Sequence, residues 1–217
     1  TALLLFALPV AAQEEVVLGL SHDRVAITAD FDGSEILIFG AVKRETPIPD
    51  TEQLQVIVTV SGPEHPVLVR RKERKLGIWV NVDSVLVDSA PPFYAVATSA
   101  PLSQILTDTE DLRYRISIER AIRSVGAAMH IRGAQSFADA VVRIRESEDL
   151  YSVRENTVAI DQQTLFRTAI DMPADLTEGS YTARIYLTRN GKVVSQYETP
   201  IDVRKVGLER FLFVMSR

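Results

Sequence analysis

The sequence predicts a mainly β fold with one helical segment set between two β regions, and three observations carry that prediction. Short runs of β-branched and aromatic residues alternate with polar ones from Val16 to Thr98 and again after Val153, punctuated by Gly, Pro and Asp. The stretch from Pro101 to Tyr151 loses that period and takes up helical spacing. The run Leu176-Thr177-Glu178-Gly179-Ser180-Tyr181-Thr182-Ala183 has the form of the tyrosine corner of immunoglobulin-like domains, with Ala183 where antibody domains hold their second cysteine. The expected architecture is therefore an immunoglobulin-like β-sandwich, either one sandwich with a helical insertion or two.

Residues 1–12 carry no charge and read as the apolar half of a secretory signal peptide, too short to span a bilayer, with small residues at Val10 and Ala12 before a cut at Gln13. An exported chain is expected, with residues 1–12 a signal-peptide remnant lacking its charged start. Within residues 13–100, the first immunoglobulin-like region, strands are expected at Val25–Phe31, Glu35–Val42, Leu54–Val60, Val67–Arg71, Leu76–Asn81, Val82–Val87 and Tyr94–Thr98. Asp32-Gly33 supplies a tight turn, because both residues tolerate positive φ.

Residues 101–151 form the helical insertion or linker. Ser136 to Glu146 carries apolar residues at helical spacing behind a serine able to cap the first turn. Leu102 to Leu106 fits a short helical turn, and Gly126 to Gly133 a loop. Leu112-Arg113-Tyr114-Arg115-Ile116-Ser117-Ile118 alternates like a strand, then drifts towards helical period, which leaves both open. Residues 152–205 are the second β region: Phe166, Thr168 and Ile170 alternate, Tyr181, Ala183, Ile185 and Leu187 share one face, and Asn190-Gly191 closes a hairpin onto Val193–Val203. Tyr181 is expected to be buried with its hydroxyl bonded to upstream backbone. Residues 206–217 turn apolar, as a juxtamembrane segment or as a terminal helix docking on the body.

Composition excludes several classes. The 205 residues after the leader suit one large or two small domains of about 100 to 150 residues each. With 46% apolar and 24% charged residues the body is neither disordered nor a multi-span membrane protein. A net charge of −5 disfavours nucleic acid, whose binding is largely electrostatic. Zero cysteines remove disulfides, thiolate ligands and a cysteine nucleophile, so packing alone supplies stability.

Candidate chemistry is sparse, and no cofactor is expected. His22, His65 and His130 lie in separate segments without ligand spacing. Met129-His130 has copper-compatible residue types, but Met172 and Met215 are too far off to complete a methionine-rich site. Asp30-Phe31-Asp32-Gly33-Ser34-Glu35 resembles a calcium loop but lacks its third acidic position and its closing ligand. Ser21-His22-Asp23 puts triad residue types in a row, whereas a triad converges from separate elements. There is no Gly-x-Ser-x-Gly elbow, phosphate loop or dinucleotide-binding glycine pattern. The one dense basic run, Arg70-Arg71-Lys72-Glu73-Arg74-Lys75, reads as a solvated hairpin tip able to contact anionic headgroups or an acidic partner. Trp79, the sole tryptophan, is expected as a core anchor between sheets.

Asp32-Gly33 leading into Ile38-Phe39-Gly40-Ala41, Val69 to Arg74 followed by Gly77-Ile78-Trp79-Val80-Asn81, Phe93 to Ala97, Asp111 to Ile116, Leu165-Phe166-Arg167, and Ile201 to Arg210 together resemble the putative transmembrane protein family of alphaproteobacteria. The resemblance spans nearly the whole chain. It implies a signal peptide, a periplasmic body and one C-terminal transmembrane helix after Gly207-Leu208-Glu209-Arg210, which this chain, ending at Arg217, does not reach. Such proteins are loosely associated with permeases of the sulfite-exporter type, and no catalytic residue carries over. The expected function is a non-enzymatic periplasmic interaction module anchored to the inner membrane, whose partner is an envelope protein or permease met through Arg70, Arg71, Lys72, Arg74 and Lys75. The alternative is a periplasmic metal or small-ligand binder using the histidines.

Overall fold

The computed structural model describes residues 14–21, 24–27, 33–44, 53–122 and 135–205. The strands are β1 (Glu14–Leu20), β2 (Arg24–Ile27), β3 (Ser34–Arg44), β4 (Gln55–Ser61), β5 (His65–Lys75), β6 (Ile78–Ala90) and β7 (Tyr94–Thr98) before the helices, and β8 (Tyr151–Arg154), β9 (Ala159–Asp161), β10 (Leu165–Met172), β11 (Gly179–Arg189) and β12 (Lys192–Lys205) after them. Between lie α1 (Leu102–Ile105), α2 (Asp108–Tyr114), α3 (Ile118–Ala121) and α4 (Gln135–Ser147).

The two β regions are interleaved. One sheet has the order β1-β3-β10-β9 and the other β2-β12-β11-β4-β7-β8, so each draws strands from both sides of the helices. Ile36 on β3 pairs with Ile170 on β10, and Val58 on β4 lies between Ile185 on β11 and Ala97 on β7. Among the described residues pairing is antiparallel except at β2 with β12 and β7 with β8. Ile36, Ile38, Phe166 and Ile170 of the first sheet join Val58, Val60, Ile185 and Leu187 of the second in a single hydrophobic cluster. Burying each such side chain contributes about 1.5 to 3 kcal/mol.

The helical segment covers the outer face of the six-stranded sheet. β4 and β7 are buried on both faces, which explains why they read as continuous apolar runs rather than alternating ones. On β11, Tyr181, Ala183, Ile185 and Leu187 are buried on one face, while Tyr186 and Thr188 are buried on the other. The Tyr114 ring packs edge-on to Tyr186 at 5.7 Å. Two bonds tie α2 to the β11–β12 hairpin: the Thr107 N–H donates to the Gly191 carbonyl at 2.9 Å, and the Val193 N–H donates to the Glu110 carboxylate at 3.0 Å.

Leu112–Ile118, which its pattern leaves open, contains no strand: α2 carries Asp108, Glu110 and Asp111 in its first turn and ends at Arg115 in the left-handed region (φ 54°). Several expectations need correction. Val67–Arg71 extends to Lys75, so the basic run lies on β5 itself and the tip is Leu76-Gly77. Leu76–Asn81 and Val82–Val87 are one strand, β6, with a bulge between them: Arg71 faces Asp83 and Lys72 faces Asn81, leaving Val82 unpaired. Ser136 stands inside the first turn of α4 rather than ahead of it. Trp79 is not a core anchor, being 68% exposed. The expected signal-peptide remnant (residues 1–12), the apolar residues 206–217, Asp30–Asp32, and the expected loop Gly126–Gly133 fall outside the described residues.

The tyrosine corner forms as expected. Tyr181 is fully buried, its hydroxyl donates to the Thr177 carbonyl at 2.8 Å, and its ring lies 6.1 Å from that of Phe93. Burial pushes this phenol from 10.0 up to about 12, and it raises Tyr94, Tyr151 and Tyr186 in the same direction. These phenols keep their protons in the folded chain at pH values where the unfolded chain has lost them. Their contribution is therefore fully present below pH 10 and is lost as pH rises towards and through 12. Urea midpoints are expected to hold steady up to about pH 10 and then fall; a midpoint unchanged between about pH 9 and about pH 12 would contradict this.

Candidate functional site

The feature that sets this chain apart from a plain two-sheet body is the β5–β6 hairpin, a two-stranded arm that pairs with neither sheet among the described residues. Its base is fixed. Val85 and Val87 are buried, with Val69 and Val67 opposite them packed against the core. Arg71 forms an ion pair with Asp83 across the strands, and its guanidinium lies 5.4 Å above the Phe137 ring of α4, a cation–π contact that braces the shaft. Beyond this brace the arm stands in solvent. At about 3.3 Å per residue, Lys72 to Lys75 carry the tip about 13 Å past it.

The arm brings together the predicted cations. Arg70, Arg71, Lys72, Arg74 and Lys75 are all exposed, and among the described residues no carboxylate forms an ion pair with Arg70, Lys72, Arg74 or Lys75. Sequence reasoning missed what accompanies them. Trp79 lies directly opposite Arg74, and Ile78 directly opposite Lys75, so each face of the ribbon ends in one apolar side chain and one cation. Leu76 is fully exposed, and Ile78 and Trp79 are 64% and 68% exposed. The signal was present in Leu76-Gly77-Ile78-Trp79, but alternation alone does not tell a strand that faces a core from one that leaves it.

The turn has its own anomaly. Leu76 (φ 50°) and Gly77 (φ 85°) both occupy the left-handed region, as do Asn190 (φ 49°) and Gly191 (φ 75°) in the β11–β12 hairpin. Asparagine suits such a position, and a leucine there costs about 1 to 2 kcal/mol. The chain thus holds a fully exposed leucine at the apex against local backbone preference.

Other surfaces carry less chemistry. An open groove of about 680 Å³ on the outer face of the four-stranded sheet is lined by Val17, Phe39, Asp161, Leu165 and Arg167. A polar pocket of about 190 Å³ beside Tyr94 includes Arg113 and Arg184, which are matched by Glu110 at 3.3 Å and Glu198 at 2.9 Å. The Tyr94 hydroxyl there donates to the Ile116 carbonyl at 2.9 Å, a structural bond. His65 is exposed at the start of β5, whereas His22 and His130 lie outside the described residues. Among the described residues no three His, Asp or Glu converge to hold a metal, and no helix is long and apolar enough to cross a membrane. The Ser21 hydroxyl accepts the Leu37 N–H at 3.0 Å, which pins β1 to β3.

Comparison with curated proteins and with solved structures finds no match to this chain. A family model matches residues 15–217. The chain therefore belongs to the alphaproteobacterial family described as Putative transmembrane protein (Alph_Pro_TM), the family its motifs resemble.

Proposed function

We propose that this chain is a non-enzymatic interaction module, exposed in the periplasm and anchored to the inner membrane, which works by contact through its projecting hairpin. The observation that carries the reading is that arm: a braced, solvent-exposed ribbon bearing five cations and, at its tip alone, three exposed apolar side chains, which a body stabilised only by its core does not need. Membership of a family described as putative transmembrane proteins supports a contact made beside a membrane. The strand order supports an immunoglobulin-like scaffold: β1-β3-β10-β9 parallels the A-B-E-D sheet, β12-β11-β4 parallels G-F-C, and Tyr181 opens the F-like strand. Such scaffolds commonly carry binding surfaces on projecting segments, although fold alone assigns no activity.

An inner-membrane permease or another envelope protein fits as the component beside which the module works. The test is photocrosslinking in native membranes from positions 68 and 86, the exposed Leu68–Leu86 pair on the shaft. Recurrent capture of one membrane or envelope component is expected. Reversing Arg70, Lys72, Arg74 and Lys75 to Glu is expected to weaken its co-purification at least tenfold, in line with several lost charge contacts. Unchanged co-purification would remove the hairpin from the interface.

A further inference from the structure

We infer that the tip of the β5–β6 hairpin inserts into the surface of an anionic bilayer, with Leu76, Ile78 and Trp79 entering the interface and Lys75, Arg74, Lys72 and Arg70 holding lipid phosphates. This rests on the reading of the chain as a contact module and names what its arm touches. The order of chemistry along the arm is the first argument. A protein partner is matched by a patch laid out across a surface. A bilayer is matched by a sequence in depth: apolar at the apex, an aromatic with a polar edge next, cations behind. Leu76 is the apex, and Trp79 stands about 7 Å behind it at 3.3 Å per residue. That lies within the depth of about 5 to 10 Å reached by interfacial side chains, where tryptophan is enriched. Lys75 and Arg74 sit level with Ile78 and Trp79, and their long stems let the charged ends reach back to phosphates. Lys72 and Arg70 follow along the same strand.

Charge distribution is the second argument. Residues 70–81 hold five cations against one carboxylate, Glu73, a net of +4 in a chain whose total is −5, so the remainder carries −9. An anionic surface attracts this arm and repels the rest, which orients the chain tip first. The third argument is the apex itself. Leucine at φ 50° occupies a turn position that the other tight hairpin fills with Asn190, so an apolar apex is held where a polar residue suits the backbone better. The Arg71–Asp83 pair and the Arg71–Phe137 contact keep the shaft stiff, so little order is lost when the tip docks.

Trp79 is the sole tryptophan, so its emission reports the tip and no other apolar segment. The experiment adds the 217-residue chain to vesicles of three parts phosphatidylethanolamine and one part phosphatidylglycerol, with phosphatidylcholine vesicles as the uncharged control. A blue shift of Trp79 emission and its quenching by brominated lipid are expected on the anionic vesicles, weakening as salt is raised. Reversal of Lys72, Arg74 and Lys75 to Glu is expected to lower partitioning more than a hundredfold, at about fivefold for each cation lost and more for the repulsion gained. Leu76→Asn is expected to lower partitioning as well while thermal stability holds or rises, which separates loss of the contact from loss of the fold. Unshifted Trp79 emission on anionic vesicles would overturn the lipid assignment. If tip photocrosslinks in native membranes then converge on one protein, the module reading survives with a protein partner; if they capture nothing, both readings fall.

Discussion

Replacing Asp111 by alanine is expected to lower the unfolding free energy by about 3 kcal/mol, read as a drop in urea midpoint at constant slope. The chain reverses just after α2, where Arg115 takes φ 54°, and that reversal turns three donors towards one carboxylate. Asp111 Oδ1 accepts the Ile116 N–H at 3.1 Å and the Ser117 N–H at 2.8 Å, and Oδ2 accepts the Ser117 hydroxyl at 2.7 Å. Alanine leaves those donors without their acceptor beside the fully buried Ile116. The effect spreads because the Tyr94 hydroxyl of β7 donates to the Ile116 carbonyl on the same turn. Asp111→Asn retains one acceptor oxygen and is expected to cost about 1 kcal/mol. Equal losses from the two substitutions would argue that charge, not acceptor geometry, holds the corner.

Tyr181→Ala is expected to cost about 4 kcal/mol, because it empties a fully buried aromatic site on β11 packed against Phe93. Tyr181→Phe removes only the hydroxyl bond to Thr177 and is expected to cost about 1 kcal/mol. The difference between the two measures the ring's packing. Tyr181→Phe also deletes one raised phenol, so the decline in stability above pH 10 is expected to become shallower in that variant. Urea titrations at pH 7 and pH 11 check both statements together, and a loss near 4 kcal/mol from the phenylalanine variant would move the emphasis from packing to the hydrogen bond.

The parts of this fold legible in the sequence are those encoded over a few residues. Tyr181 four residues after Thr177, and Asn190 beside Gly191, each carry their own backbone chemistry, and both formed as the residues imply. What stayed hidden depends on partners far away in the chain. Nothing near Ile36 announces Ile170, so one sandwich and two read alike. Leu112 to Ile118 alternates by coincidence: Leu112 is an exposed residue of α2, while Ile116 and Ile118 are buried around a turn, and the run of carboxylates behind Thr107 was the better guide. The apparent break before Val82 marks a bulge rather than the end of a strand. For the candidate site, the cations are visible as composition, but a sole tryptophan in a strand reads as a core anchor, because tryptophan is highly buried on average.

The interleaving of the two sheets has a consequence in time. A chain growing from its N-terminus completes the β1–β3 pair early, yet the far edge of β3 waits for β10, and β2 waits for β12, where Val25 meets Val203. Such distant pairings make for slow folding, since wide loops must close before any pairing rewards the closure. Until then β3 and β4 present bare edges to any neighbouring strand. The last described strand, Lys192–Lys205, bonds both β11 and β2, so it serves as the latch: a nascent chain cut short of it leaves β11 as a bare edge and β2 unclaimed.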